Sequence, residues 1–331
     1  MIVKNNKTGN KHDYVGGTTG NGKIRWPDGV CWDVEDCTFP WSAPKKVIVP
    51  KETTYVAAFL TFRCNLKCSY CINKAGVFER KRDEMTANDW IRGLNRLKIQ
   101  RSQMLPITLC GGEPSVHSGF LDILKYIDFE KYIDILTNLQ FNISEFMRRV
   151  EPARLNRDVP YASIRVSYHP GQHKLSEVIG KVKSMQEAHY SIGLYTVEHP
   201  DAPIDEIRKV CDKEWIDFRT KEFLGYHNGQ LYGDYIFPEW LEEGTHDRSE
   251  YECKSTEILI GPEGNLYRCH AELYAGVNPI AHILDDDLEI VFRHRQCLFD
   301  KSCSNCDLKA GKNSRFQKKG YTAVDVRKIK P

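Results

Sequence analysis

From Lys51 to Thr220 the chain alternates short β-branched or aromatic runs with amphipathic stretches, and this alternation constrains the fold more than any other feature. The runs at 55–60, 106–109, 133–137, 163–167, 191–197 and 215–220 read as strands. Between them, Thr86 heads a helix with Trp90, Leu94 and Leu97 along one side; Leu121, Leu124 and Ile127 mark a second, and Ser144, Phe146 and Met147 a third. Ser176 is expected to cap a fourth that bears Val178, Val182 and Met185, and a fifth runs from 204 to 211 behind Pro203. Strand alternating with helix six times predicts a parallel sheet with right-handed crossovers and a ligand site at the carboxyl ends of its strands.

The flanking segments read differently. Residues 1–50 are polar and punctuated by Gly, Pro and Trp, which suggests a loop-rich arm packed on the main body through its tryptophans. After Thr220 come an aromatic-rich connection, an acidic stretch and a group of cysteines. The last 23 residues hold eight Lys/Arg against one Asp and read as a solvated tail. The longest apolar run, residues 55–60, is far short of the ~20 residues a membrane-spanning helix needs. The N-terminus lacks a signal-peptide core, and a net charge of +2 leaves no excess to recruit nucleic acid or membrane. A cytoplasmic protein with no membrane or nucleic-acid partner is the expectation.

In such a reducing compartment the 12 cysteines point to metal or redox chemistry rather than disulfides. Three of them, Cys64, Cys68 and Cys71, follow the first strand directly, where a site is expected. Three thiolates suit a four-iron cluster with one open iron, whereas a structural zinc site wants a fourth ligand. Zinc and unrelated core thiols stay open as alternatives.

The CxxxCxxC spacing, with Tyr70 just before the last cysteine and Cys110-Gly111-Gly112-Glu113-Pro114 one strand–helix unit later, resembles the radical S-adenosylmethionine (radical SAM) superfamily. The resemblance implies a partial (β/α)6 TIM-like barrel over residues 51–225, with a cluster on Cys64, Cys68 and Cys71 whose open iron chelates S-adenosylmethionine. It further implies that Gly111, Gly112 and Glu113 meet the amino group of that cofactor, that Tyr70 lies by its adenine, and that Ser167 contacts its ribose or carboxylate. The implied chemistry is reductive cleavage of the sulfonium to a 5′-deoxyadenosyl radical that abstracts a substrate hydrogen, fed by a low-potential donor of flavodoxin or ferredoxin type.

Cys253 and Cys269 flank a predicted strand–turn–strand, so these thiols are expected to be neighbours, and Cys303-Ser-Asn-Cys306 adds a CxxC pair. By spacing alone the four could hold zinc or an iron–sulfur cluster. Behind a radical SAM domain they resemble the twitch subgroup, a shortened relative of the SPASM domain, which implies one auxiliary four-iron cluster in a small hairpin/helix domain over 226–331. Cys297 is a further candidate ligand or a buried thiol. Cys31, Cys37, Cys110 and Cys211 read as ordinary core or surface thiols.

Substrate-side groups are expected at inward, carboxyl-end positions: Asn138, Tyr168, His169, Glu198, His199, Arg219, Lys221 and Glu222. The leading expectation is an oxidoreductase acting on a small sugar-like or aminocyclitol metabolite by net two-electron oxidation. A ribosomal peptide, epimerised or crosslinked, is the alternative; a nucleotide or RNA substrate is third, on the basic tail alone, and a zinc-stabilised binding protein is the non-enzymatic reading.

Overall fold

The computed structural model describes residues 2–8, 10–13, 23–25, 31–33, 37–38, 45–71, 82–100, 103–233, 250–297 and 324–329. The six expected strands are β1 (Tyr55–Thr61), β2 (Ile107–Gly111), β3 (Ile133–Thr137), β4 (Ile164–Ser167), β5 (Ile192–Glu198) and β6 (Phe218–Glu222). They lie in the order β6–β5–β4–β3–β2–β1, every neighbouring pair parallel. A parallel strand is covered on both faces, which is why β1 reads Tyr-Val-Ala-Ala-Phe-Leu-Thr with hardly a polar interruption.

Five helices form the crossovers: α1 (Ala87–Arg96), α2 (Phe120–Tyr126), α3 (Ile143–Arg149), α4 (Leu175–Glu187) and α5 (Ile204–Lys213). The Thr86 side chain accepts from the Asp89 amide at 3.2 Å, as its N-cap reading requires. Trp90, Ile91 and Leu94 of α1, Ile123 and Leu124 of α2, and Val178, Val182 and Met185 of α4 are buried in one core with the outer residues of the strands. With the helices on that side, the other face of the sheet is left to the site.

Two expectations shift. Ser176 lies inside α4, whose N-cap is Lys174, so it caps nothing. The last strand begins at Phe218 rather than 215, because α5 ends in a turn where Trp215 takes φ +57° and stands 90% exposed. The Ile216 amide returns to the Cys211 carbonyl at 2.9 Å, and extended backbone starts only after that closure.

Beyond β6 a hairpin, β7 (Gly225–His227) and β8 (Gln230–Tyr232), leads on to β9 (Tyr251–Ser255), β10 (Glu257–Ile260), β11 (Asn265–Tyr267), helix α6 (His270–Ala275) and β12 (Ala281–His282). Strand β10 pairs in parallel with β1, Glu257 opposite Tyr55 and Ile260 opposite Ala58, and β11 and β12 follow antiparallel. The sequence boundary at 225/226 is therefore not a boundary in hydrogen bonding: one nine-stranded open sheet takes strands from both sides of it. β9 instead centres a second sheet between β13 (Arg295–Gln296) and β14 (Val324–Lys328). In β14 Arg327 and Lys328 pair with Glu252 and Glu250, so this part of the basic C-terminus is a strand and not a solvated tail.

Short strands occur in the arm, at Ile2–Asn5, Lys11–Asp13, Lys23–Arg25, Cys31–Asp33 and Cys37–Thr38. Trp32 is buried there, while Trp26 and Trp41 lie outside the described residues. Among the described residues no helix is long and apolar enough to cross a membrane.

Candidate functional site

The cysteine loop leaves β1 at Thr61 and is held by backbone contacts from the end of β2. The Gly112 amide donates to the Thr61 carbonyl at 2.8 Å and the Glu113 amide to the Arg63 carbonyl at 2.9 Å. This approach explains the glycine pair. A Cβ on Gly111 would stand 2.1 Å from the Thr61 oxygen, and one on Gly112 would stand 2.3 Å from that of Arg63. Gly111 also sits at φ +138°, in backbone space that side chains disfavour. The glycines are thus needed where β2 meets the cysteine loop, whatever else approaches them.

Within the loop the Leu66 amide points at Cys64 Sγ at 3.4 Å, and the Cys71 amide donates to the Cys68 carbonyl at 3.3 Å. Burial pushes the Cys64 thiol up, the Leu66 amide opposes that, and the Glu113 and Cys71 charges add to it. Cys64, Cys68 and Cys71 all line one cavity of about 570 Å³. In a four-iron cluster each thiolate binds a different iron, so the sulfurs must surround a volume rather than converge on a point. Three thiols on the rim of one cavity fit that group.

Glu113 is 1% exposed. Its carboxylate accepts from Thr137 Oγ1 at 2.8 Å, the Asn138 amide at 2.7 Å and Ser115 Oγ at 2.6 Å, so it ties the end of β3 to the turn after β2. Asn138 in turn donates through Nδ2 to Asn65 at 2.7 Å, beside Cys64. Burial raises the Glu113 pKa, and the hydrogen bonds counter it.

The cavity is floored and walled by alternate residues of the strands. Behind this lining Asp134 is wholly buried and paired with Arg157 at 2.7 Å and with Arg165 at 3.1 Å. Above it Ser167, Val197 and Lys221 line the cavity, and His169 and Phe223 lie higher, towards the cysteine loop. No carboxylate pairs with Lys221 among the described residues. Enclosure and the Arg165 charge lower its pKa, while the Cys110 thiol acts the other way.

Tyr70 reaches across the mouth. Its hydroxyl lies 3.1 Å from His169 Nδ1, and its ring stacks on His199 with centroids 5.0 Å apart. Burial and the neighbouring His173 depress the His169 pKa to about 4, and burial raises that of Tyr70 to about 12.

Of the expected substrate-side residues, Asn138, His169, Lys221 and Glu222 line the cavity. Tyr168 does not: strand alternation turns its ring outward into the helix-side core, against His173. Glu198 also faces outward, where it accepts from Thr220 Oγ1 at 2.6 Å. Arg219 belongs to the opposite end of β6, paired with Asp217 at 3.1 Å, because the strand starts later than expected. His199 sits at the rim in a separate cluster with Asp201 and His227.

The second cysteine group approaches the same cavity from the far side of β1. Cys253 is in β9, and Cys269 caps α6, its sulfur accepting from the Glu272 amide at 3.5 Å. Arg268 lies between them: burial lowers its pKa, but Glu272 and both thiols outweigh this and raise it. The Cys297 amide donates to Tyr251 in β9 at 3.1 Å, while Cys303 and Cys306 lie outside the described residues. His270 and Tyr274 of α6 line the cavity, a contribution that the sequence reading missed because the helix is short and headed by a cysteine. Cys110 also lines it, its thiol pushed up to about 12 by burial.

Residues 59–213 match the sequence profile of the Radical SAM superfamily. The molybdenum cofactor biosynthesis protein 1 of Mus musculus is 28% identical over 152 residues, 43% of this chain and 24% of that protein. The GTP 3′,8-cyclase of Peptoclostridium acidaminophilum is 24% identical over 198 residues, 54% of this chain and 58% of the relative. The PqqA peptide cyclase of Rhodopseudomonas palustris is 26% identical over 121 residues, 37% and 30% of the two chains. The chain thus spans from a quarter to just over half the length of these relatives. Among solved structures, Streptococcus suis SuiB bound to S-adenosylmethionine superposes with a TM-score of 0.49 and 18% identity, over 74% of this chain and 65% of that one.

Proposed function

We propose that this chain, which carries a radical SAM domain, is an enzyme that reductively cleaves S-adenosylmethionine and takes a hydrogen atom from a substrate bearing an anionic group. The observation that supports it best is the single cavity shared by Cys64, Cys68, Cys71 and Lys221, an ammonium with no carboxylate partner among the described residues. When bound, a cluster on those three cysteines would supply the electron that breaks a carbon–sulfur bond of the cofactor, and a second cluster on Cys253, Cys269, Cys303 and Cys306 would accept an electron from the substrate. In this reading Ser167 and Tyr70 contact the cofactor, and Glu113 acts by holding the loop ends through Thr137 and Asn138. Because α6 puts His270 and Tyr274 into the cavity wall directly after Cys269, the second cysteine group has a short route to the substrate.

The cavity also argues about the substrate. Lys221, with the Asp134-paired Arg165 in a small pocket beside it, favours a carboxylate or phosphate and disfavours an aminocyclitol, which is itself cationic at neutral pH. A neutral sugar would leave the Lys221 ammonium facing the substrate unpaired. Two of the relatives named above act on a nucleotide and on a peptide by their names, and both classes can present an anion; neither is a sugar enzyme. A peptide with an acidic side chain or terminal carboxylate is the second reading.

Anaerobic reconstitution with iron and sulfide, reduction with dithionite in place of the flavodoxin- or ferredoxin-type donor, and addition of S-adenosylmethionine should release methionine and 5′-deoxyadenosine. Cys68→Ala should abolish release. A protein that takes up zinc and leaves the cofactor intact would sink the proposal in favour of a zinc-stabilised binding protein.

A further inference from the structure

Among the described residues one group of three side chains is close enough to share a single ion, and it lies outside the cysteine groups: His199, Asp201 and His227. His199 follows the end of β5, Asp201 lies two residues on in the turn, and His227 ends β7, the first strand of the hairpin beyond β6. The fold therefore brings together two segments separated by a whole strand–helix unit. Their ligand atoms lie within 4.8 Å of one another.

The spacing is that of a small coordination sphere. His227 Nε2 is 3.3 Å from Asp201 Oδ1, and His199 Nδ1 is 3.7 Å from Asp201 Oδ2. A tetrahedral zinc ion with bonds of about 2.0–2.1 Å sets neighbouring ligand atoms about 3.3 Å apart. The two rings cross at 78° with centroids 4.6 Å apart, so neither stacks over the other and blocks the space between them.

Protonation fits as well. The Asp201 amide donates to His199 Nδ1 at 3.2 Å, and Asn228 Nδ2 lies 3.0 Å from His227 Nε2. The first contact leaves His199 Nδ1 without a proton, and the second suits a His227 tautomer that is likewise unprotonated at Nε2. Neutral imidazole and ionised carboxylate are the forms in which these groups bind a metal. The rings are also fixed in place: the side chains of His199 and His227 are 12% and 18% exposed, Tyr70 stacks on His199, and Phe223 packs edge-on against it at 4.7 Å. Asp201 is 71% exposed, which leaves the outer side open to a water ligand.

We propose that His199, Asp201 and His227 bind one borderline divalent cation, zinc by its donor set, which clamps the β7–β8 hairpin onto the end of β5. The clamp would hold Tyr70 and Phe223 at the cavity mouth through His199. The site is independent of the iron–sulfur chemistry and needs no S-adenosylmethionine.

The test uses the full chain with its cysteine sites loaded with iron and sulfide, titrated anaerobically with Co²⁺ as a spectroscopic stand-in for zinc and then with Zn²⁺. One equivalent should bind with ligand-field bands and without the near-ultraviolet thiolate charge-transfer band that a cysteine site gives. Asp201→Asn, at an exposed position where folding is not at stake, should weaken binding at least tenfold, since even lost outer-sphere partners cost about 10- to 100-fold. His227→Ala should abolish it with the iron content unchanged, and Cys303→Ser should leave it intact. Binding that shows the charge-transfer band, binding unaltered in both Asp201→Asn and His227→Ala, or no binding at micromolar cobalt or zinc would each overturn the proposal.

Discussion

The Tyr70 hydroxyl lies 3.1 Å from Nδ1 of His169, so the aromatic residue just ahead of Cys71 is tied to the carboxyl end of β4. The link places the cysteine loop and the polar rim of the cavity in one hydrogen-bonded unit. It also makes the loop sensitive to the charge on one half-buried imidazole.

That imidazole has a pKa depressed to about 4 by burial and by His173, against about 6.5 in an unfolded chain. The folded state therefore binds fewer protons, and the stability present above pH 6.5 is lost as pH falls from there to about 4. The loss should approach about 3 kcal/mol, at ~1.4 kcal/mol for each pKa unit. Chemical denaturation at pH 7 and at pH 4.5 should show a smaller difference for His169→Gln than for the wild type; equal differences would mean that His169 charges freely.

Gly112→Ala should disrupt the cysteine loop, because the new Cβ would stand 2.3 Å and 2.5 Å from two backbone oxygens of the loop. A cost of about 1–3 kcal/mol is expected, together with loss of iron from the first site after reconstitution. Gly180→Ala is the opposite case: nothing lies within 4 Å of its Cβ, and it sits inside α4. It should stabilise the protein by about 0.5–1 kcal/mol. Thermal melting of the two variants in parallel checks both signs.

Lys221→Met removes the ammonium and keeps most of the side-chain volume. If Lys221 holds an anionic substrate, the substrate KM should rise about 10- to 100-fold, the value of a charge-assisted hydrogen bond of about 1.5–3 kcal/mol. Release of 5′-deoxyadenosine without substrate should stay within about twofold of wild type. A parallel fall in that uncoupled reaction would assign Lys221 to the carboxylate of S-adenosylmethionine instead.

A Cys303→Ala/Cys306→Ala double variant should keep about four of about eight irons per chain and still cleave the cofactor. Loss of all iron would contradict two separate sites, and an undiminished iron content would show that these cysteines ligate nothing. Iron assay and Mössbauer or electron paramagnetic resonance spectra of the reduced protein separate the cases.

Much of this site was legible in the amino-acid order because the signals are local. Strand runs, the Thr86 cap and the positions of Cys64, Cys68, Cys71 and Gly111–Glu113 depend on neighbours a few residues away, and the structure puts these cysteines and the Gly111–Glu113 turn at the carboxyl ends of β1 and β2. The start of β6 was misjudged by three residues because Trp215 is apolar yet exposed in a left-handed turn, and that slip carried Arg219 to the wrong end of its strand.

Facing and long-range partners were decided by the tertiary structure. Alternation along β4 and β5 sends Tyr168 and Glu198 outward, and only the position of each strand in the sheet says which face holds the cavity. The parallel pairing of β10 with β1, 202 residues apart at Glu257 and Tyr55, brings α6 and its cysteine cap to the same cavity. The hairpin after β6 sets His227 against His199 in the same way. The sequence by itself determined which elements form and which residues end them, because those choices are made by nearest neighbours. Which of those ends meet is set by sheet order and packing, which no local pattern encodes.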